Sequence, residues 1–376
     1  MPTVPDPIGM NIREAEPLKP FTTFKIGGPA RYFMRVASVQ DLRAGTQLAG
    51  KTSLPLFVLG GGSNILVSDS GFPGVVVHPD CRGIEIARED AESVTLEVHA
   101  AETWDDLVQF TVEHGWWGIE NLSHIPGQAG AALVQNIGAY GQQVSEVAQS
   151  ARVFELASGA PRVLSAAECG FGYRRSIFNS TARGKLIIQA LTLRLSKRGL
   201  PHLDYPDVRA HFLERGIQQP SLNEIRQAII SIRDGKFPFP REERGGNAGS
   251  FFKNLSLSSD EYGALHRKIQ TNFSSQELAR LEELRDRFPS TEKIKIPTAF
   301  LISICDLKGY NIGGAKVNES QPLVLLNQGG ATARDVIELA RNVRRTVWDR
   351  TGMRIEIEPE LVGFGATETE HLYSLE

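Results

Sequence analysis

Cysteine is scarce in this sequence: only Cys81, Cys169 and Cys305 occur, far apart, odd in number and without a C-x-x-C pair. That excludes a disulfide framework, a thiolate zinc site and a dithiol redox couple, and reads as reduced, mostly buried thiols in a reducing compartment. Net charge is nearly absent too. The 41 Lys+Arg against 44 Asp+Glu leave a formal charge of -3, so no global basic field exists to hold a polyanion such as DNA, and any nucleotide must be gripped locally. No stretch approaches ~18 uninterrupted apolar residues, and residues 1–20 lack a basic region followed by an apolar run. The expectation is a cytoplasmic protein, neither exported nor membrane-spanning, with no metal, nucleic-acid or membrane partner. What is present is 376 residues, 41% hydrophobic and 23% charged, enough material for roughly two or three domains with real cores.

The first half alternates short apolar runs with glycine-rich loops. Ser38 to Asp41 and Thr103 to Asp106 read as helix caps, the second opening a helix with Leu107, Phe110 and Thr111 on one face and a stop at Gly115. Leu56–Leu59, Val75–Val77 and Val94–Val98 read as strands, Arg152–Leu156 and Arg162–Leu164 as a hairpin, and Leu186–Leu195 as a half-buried strand. Lys197 to Pro220, with Pro201, Pro206 and Pro220, looks like a connection. Ser221 to Glu224 caps a helix carrying Ile225, Ile229 and Ile232, and Thr332 to Asp335 caps another with Val336, Leu339, Val343 and Val347 before Gly352. A terminal strand is expected over Arg354–Glu358, and the last dozen residues carry no readable signal. The layout is mixed α+β.

Two loops point to chemistry. Gly60-Gly61-Gly62-Ser63-Asn64 follows a strand, and consecutive glycines let backbone N–H groups converge on an anion; the other reading is a plain turn between strands. It matches neither the Walker loop nor G-x-G-x-x-G. The stretch Pro126-Gly127-Gln128-Ala129-Gly130, continuing to Gln135-Asn136-Ile137-Gly138-Ala139-Tyr140-Gly141, is too small-residued and polar for an ordinary core element. Two such loops favour a bulky dinucleotide.

Thr22–Gly28, these two loops, Gly172–Phe178, Gly246–Asn254 and Glu358-Pro359-Glu360 together resemble, in order from about Phe21 to Gly363, the UDP-N-acetylenolpyruvoylglucosamine reductase family, in its longer-loop variant. The resemblance implies an α+β fold: an FAD-binding domain of the vanillyl-alcohol oxidase type, then a smaller α+β substrate-binding domain. It implies non-covalent FAD held by Gly60, Gly61, Gly62, Ser63, Asn64, Pro126, Gly127, Gly130, Asn136, Gly138, Ala139, Tyr140 and Gly141. Leu133 stands where the family usually has proline.

The implied reaction is reduction by NADPH of the enolpyruvyl double bond of UDP-N-acetylglucosamine enolpyruvate to UDP-N-acetylmuramate, for peptidoglycan precursors. Hydride goes from flavin N5 to the methylene carbon, Arg174 supplies the permanent cation, Ser250 protonates the neighbouring carbon and Glu360 assists. Substrate contacts fall to Tyr173, Tyr205, Lys236, Asn254 and Gln321. The expected segments are an FAD-binding region over residues 1–220, a substrate-binding domain over 221–352, and a strand and tail over 353–376 returning to the first region. The oligomeric expectation favours a monomer. Two other readings stay open: an FAD-linked oxidase on the same scaffold, against which stands the absence of a flavin-tethering His or Cys beside the glycine run, and a non-catalytic nucleotide-sugar sensor, which would be expected to have lost Arg174, Ser250 or Glu360.

Overall fold

The Val75-Val76-Val77 run is buried on both faces, as the middle strand of a parallel sheet has to be. In the computed structural model, which describes residues 12–236, 239, 245–287 and 293–373, that run lies inside the Phe72–Pro79 strand. Pro29–Val36 and Leu56–Val58 flank it in parallel, with Phe33 and Phe57 both opposite Val76, and Ile12–Pro17 completes a four-stranded sheet. The helix Val39–Thr52 covers this sheet with Leu42, Leu48 and Ala49, and Ser38 caps it as the sequence indicates.

A second, antiparallel sheet runs in the order Ala160–Ser165, Ala148–Glu155, Leu186–Ser196, Ser93–His99, Ile84–Glu89. Strand alternation sorts its side chains between two cores. Phe154 and Ile187 join the core of the first sheet, whereas Val153, Ile188 and Leu191 pack with the helices Trp104–Glu113 and Ala129–Val134. Both sheets lie in one compact unit, made of the described residues within 1–16, 29–62 and 72–234.

The second unit comprises 17–28, 63–71 and the described residues from 235 onward. Its core gathers apolar residues of the helices Ser259–Asn272, Ser275–Arg287, Thr298–Ile304 and Ala333–Thr351 with Phe251 and Phe252. A small sheet of Asn311–Ile312, Ala315–Val317 and Leu325–Asn327 adds Ala315, Val317 and Leu325. The amino-terminal half contributes Phe24, Ile26 and Leu66 to this same core.

Three sequence expectations change. The units are drawn elsewhere than at residue 220: the helix Leu222–Lys236 turns Ile225, Ala228 and Ile229 against Tyr140, Val208 and Phe212, so its packing belongs with the first unit as far as Asp234. The presumed connection over 197–220 contains a helix, Pro206–Leu213, whose proline stands in the first turn, where no intrahelical N–H is missed. Arg354–Glu358 is not a strand; it makes one bridge, Ile357 to Phe252, and the strand that forms is Glu360–Val362, parallel to Ile65–Val67. Alternation over five residues cannot tell a ladder from a single bridge. The tail forms a helix, Ala366–Tyr373.

The Ala333–Thr351 helix carries a complete capping box, with Thr332 accepting from the Asp335 N–H at 3.1 Å and Asp335 accepting from the Thr332 N–H at 3.0 Å. That backbone hydrogen bond, more than any other contact, holds the Asp335 carboxyl below its ordinary value. Its contribution is therefore present above the unfolded carboxyl pKa and lost as pH falls through the lower folded one. Thr332→Ala should cost about 1 kcal/mol, read as a lower urea midpoint with an unchanged slope.

Candidate active site

The two glycine stretches meet. A β-carbon at Gly61 would stand 2.6 Å from the Gly127 Cα, so backbone lies on backbone where the loops cross. At Gly130 a β-carbon would lie 2.6 Å from that of Ala100, whose carbonyl accepts the Gly130 N–H at 2.9 Å. Gln128 Nε2 donates to the Pro79 carbonyl at 3.3 Å. The crossing thus lies beyond the carboxyl ends of the Leu56–Val58 and Phe72–Pro79 strands, where parallel sheets bind nucleotides. Leu133, in the proline position of the resemblance, is fully buried in the helix Ala129–Val134.

The same stretch builds the support for Arg174. Gly172 and Arg175 exchange backbone hydrogen bonds, making Tyr173-Arg174 the tip of a tight turn, and Arg174 sits at φ 52°, an uncommon value for a branched-off side chain. Asn136 Nδ2 donates to the Gly172 carbonyl at 3.0 Å and Asn179 Nδ2 to the Arg174 carbonyl at 3.1 Å, fixing the turn from both sides. Asn136 also donates to Gln143 Oε1 and accepts the Ser145 N–H, so its carboxamide is engaged in holding the turn. The guanidinium carbon of Arg174 lies 5.8 Å from the exposed Tyr173 ring centre. Tyr140 carries Tyr205 edge-on at 5.2 Å, and Tyr205 precedes the helix Pro206–Leu213.

Beside them is a charged network that the sequence reading missed. Arg226 clasps Asp105 at 2.7 and 3.0 Å, and both side chains are largely buried. His124 donates its N–H to Asp105 at 2.5 Å, and its Nε2 lies 3.2 Å from Asp234. Arg233 donates to the His124 carbonyl at 2.8 Å and hydrogen-bonds Tyr140, and it feels the charge of Arg174. Burial pushes His124 down more than Asp234 raises it, and burial likewise lowers Arg233 and raises Tyr140. For Asp105 burial acts upward, but the Arg226 and His124 hydrogen bonds prevail and hold it low. The available signal was the seven-residue spacing of Arg226 and Arg233, which puts both on one helix face beside the Ile225, Ile229, Ile232 stripe. Thr103, expected to cap the Trp104–Glu113 helix with its side chain, makes no such bond.

In the second unit, Lys253 N–H donates to the Glu356 carbonyl and Glu358 N–H to that of Phe251, both at 2.9 Å; Glu360 N–H donates to the Asn64 carbonyl at 3.0 Å. Ser250 and Glu360 therefore lie at the same end of these paired segments, with Ser63-Asn64 alongside. Asn318 Nδ2 donates to the Lys236 carbonyl at 3.0 Å, and the turn it begins, through Gln321, ends at Leu323, whose carbonyl accepts the Phe251 N–H at 2.7 Å. Asn254 accepts the Thr298 N–H at 3.1 Å. Phe237 and Pro238, which follow Lys236, lie outside the described residues. Arg174, Tyr173, Tyr205 and the Gly60–Gly62 and Pro126–Gly141 loops belong to the first unit; Ser63, Asn64, Lys236, Ser250, Asn254, Gln321 and Glu360 belong to the second.

Residues 30–165 match a family model described as an FAD binding domain, and residues 240–362 match the C-terminal domain of UDP-N-acetylenolpyruvoylglucosamine reductase. The class is thus a flavin-domain protein with a second α+β unit. The UDP-N-acetylenolpyruvoylglucosamine reductase of Flavobacterium johnsoniae is 35% identical over 94% of this chain and 100% of its own length, and that of Burkholderia multivorans 38% identical over 96% and 99%. The crystal structure of the Thermus caldophilus enzyme shares the fold, with a TM-score of 0.59 at 23% identity over 94% of this chain and 98% of that one. The chain belongs to the UDP-N-acetylenolpyruvoylglucosamine reductase family. No helix among the described residues is long and apolar enough to cross a membrane.

Arg226→Ala would leave Asp105 buried without its cation. We expect a stability loss of about 3–5 kcal/mol by urea unfolding, whereas the exposed pair of Arg162 and Glu168 should yield less than about 1 kcal/mol when broken.

Proposed function

We propose that this chain reduces the enolpyruvyl double bond of UDP-N-acetylglucosamine enolpyruvate, with FAD as cofactor and NADPH as reductant, giving UDP-N-acetylmuramate. FAD is the cofactor of the family, and the crossed glycine loops fit it: their missing β-carbons bring backbone to the carboxyl ends of a parallel sheet, as a dinucleotide's phosphates require. We assign the cofactor to Gly60–Asn64, Pro126, Gly127, Gly130 and Gly138–Gly141, with Asn136 acting through the Arg174 turn. Bound, FAD supplies the hydride.

The observation that carries the reading is the Arg174 turn. A non-glycine residue held at φ 52° by two asparagine side chains is costly, and such strain persists where a side chain must be aimed. Arg174 presents a planar, permanently charged fork to the substrate carboxylate, and Arg233 adds a second positive charge nearby. Negative charge building on the substrate carbon beside that carboxylate is thereby stabilised. Ser250 delivers the proton to that carbon; a hydroxyl is an adequate acid there because a carbanion is a very strong base. Glu360, at the same end of the paired segments as Ser250, assists the proton transfer, and Lys236, Tyr205, Asn254 and Gln321 bind the nucleotide diphosphate end.

Ser250→Ala separates the half-reactions. Bleaching of the flavin band by NADPH should proceed at near the wild-type rate in stopped flow, and its return on adding the enolpyruvyl substrate should slow by about a hundredfold or more. Ser250→Cys should retain more activity than Ser250→Ala, because a thiol still donates. Reoxidation of Ser250→Ala at the wild-type rate would remove Ser250 from the assignment. In Arg174→Lys the charge and the backbone hold on the turn survive but the planar fork does not, so kcat should fall by about tenfold or more with NADPH bleaching again spared.

A further inference from the structure

Asn121 is fully buried in the short turn Glu120–Leu122, and its carboxamide reaches two other parts of the first unit. Nδ2 donates to the Tyr140 carbonyl and to the His202 carbonyl, both at 2.8 Å. Two acceptors at one end of the group fix its orientation, because a carboxamide oxygen turned that way would face two carbonyls. Oδ1 accepts no hydrogen bond among the described residues, so the side chain works as a double donor. The turn that carries it is braced from within: Gln142 accepts the Asn121 N–H and donates to buried Glu120, each at 2.8 Å, and Glu120 also accepts the Gly118 N–H at 2.7 Å.

The identity of the two acceptors gives this link its interest. Tyr140 sits at φ 49°, uncommon for a residue with a side chain, and its ring carries Tyr205 edge-on at 5.2 Å. His202 stands three residues before Tyr205, in the run that leads into the Pro206–Leu213 helix. Shape docks the rest of that run. A β-carbon at Gly199 would stand 2.3 Å from Trp117 Cγ, one at Gly141 would stand 3.1 Å from the His202 ring, and Leu203 and Tyr205 pack on the cluster of Tyr140, Val208 and Phe212. Apolar packing is non-directional, whereas a hydrogen bond to one named carbonyl sets the path of the backbone that bears it.

Resting on the assignment of Tyr205 to the nucleotide end of the substrate, we propose that Asn121 is a positioning residue for nucleotide-sugar binding, holding Tyr140 and the Tyr205 loop in place from one buried carboxamide. Both rings then take their positions from the same support, Tyr140 through its own carbonyl and Tyr205 through the carbonyl three residues upstream. Without those donors two carbonyls lose their partner and the loop is no longer fixed against Tyr140. The substrate then has to order the loop as it binds, which weakens binding. Loss of Asn121 therefore acts on KM for the nucleotide-sugar and leaves the reaction at saturating substrate largely alone.

The test measures steady-state kinetics of the holoenzyme with the enolpyruvyl nucleotide-sugar and NADPH in wild type, Asn121→Asp, Tyr205→Ala and the double variant, with Asn121→Leu as an uncharged second removal of the donors. Both Asn121 variants should keep their flavin and its rate of bleaching by saturating NADPH, hold kcat within about threefold, and raise KM for the nucleotide-sugar by about tenfold or more. Tyr205→Ala should raise KM as well, and adding Asn121→Asp to it should raise KM by less than about twofold further, because Asn121 acts through the residue already removed. An unchanged KM in a flavin-bearing Asn121 variant, or effects that multiply in the double variant, overturns the inference. So does failure of both Asn121 variants to take up FAD, which would make the carboxamide a support of the cofactor loop instead. Tyr205→Ala with the wild-type KM removes the Tyr205 assignment and the inference with it, and a wild-type chain that does not reduce the substrate fails the proposed function itself.

Discussion

Where Gly61 crosses Gly127, the distance from one backbone to the other leaves no room for any side chain. Much of the first unit's arrangement depends on this contact. It fixes the loop after the Leu56–Val58 strand against the loop before the Ala129–Val134 helix, and the neighbouring Gly130 fixes that helix against Ala100 at the end of the Ser93–His99 strand. The two sheets are thereby joined where their strands end, and the helix sets the position of Asn136 and so of the Arg174 turn. Glycine here serves close packing first. The freedom to approach phosphate follows from the same missing atoms.

The second constraint is electrostatic. Asp105, at the start of one helix, and Arg226, in another far along the chain, are buried together, and a buried pair of this kind specifies which surfaces meet more than it stabilises them. Around it, hydrogen bonds connect His124, Asp234, Arg233 and Tyr140 from the loop before Pro126, and the edge-on contact of Tyr140 with Tyr205 carries the chain of contacts on to the Tyr205 loop. The helix Leu222–Lys236 is tied to the flavin-type unit by this network as well as by its isoleucines, which pack on Val208 and Phe212 of the proline-bearing stretch before it and on Tyr140.

Signals carried by local chemistry were legible in the sequence. Ser38, Ser221 and Thr332 cap helices with the acid three residues on, and Val75–Val77 and Leu186–Leu195 are strands, because caps and alternation need only neighbours. Features decided by distant partners were not legible. Thr22–Gly28 was grouped with the flavin half, yet Thr23 donates to the Asn247 carbonyl at 2.7 Å and Phe24 lies in the second unit's core. Arg354–Glu358 alternates like a strand but meets only one bridging residue. The glycine loops and the types of residue at Arg174, Ser250 and Glu360 were readable as motifs; Arg233 and Asp105 were not, since an ionic side chain announces its partner only once folding has brought it close.

With Arg174 assigned, as proposed, to the substrate carboxylate, the charges around it would favour an anion before one arrives. Burial lowers the Arg233 pKa; Tyr140 and Asp105 act the other way, and the nearby Arg174 charge lowers it further. The two positive charges repel, while Arg233 is anchored to the His124 carbonyl and the Arg174 backbone is pinned by Asn136 and Asn179. Folding has already met the cost of that repulsion through the surrounding hydrogen bonds. On the proposed assignment, a substrate carboxylate bound by Arg174 would relieve it, and charge growing on the neighbouring carbon during reduction would relieve it further. Preorganised cations of this kind favour the transition state over the ground state because the field is fixed while the substrate's charge moves toward it.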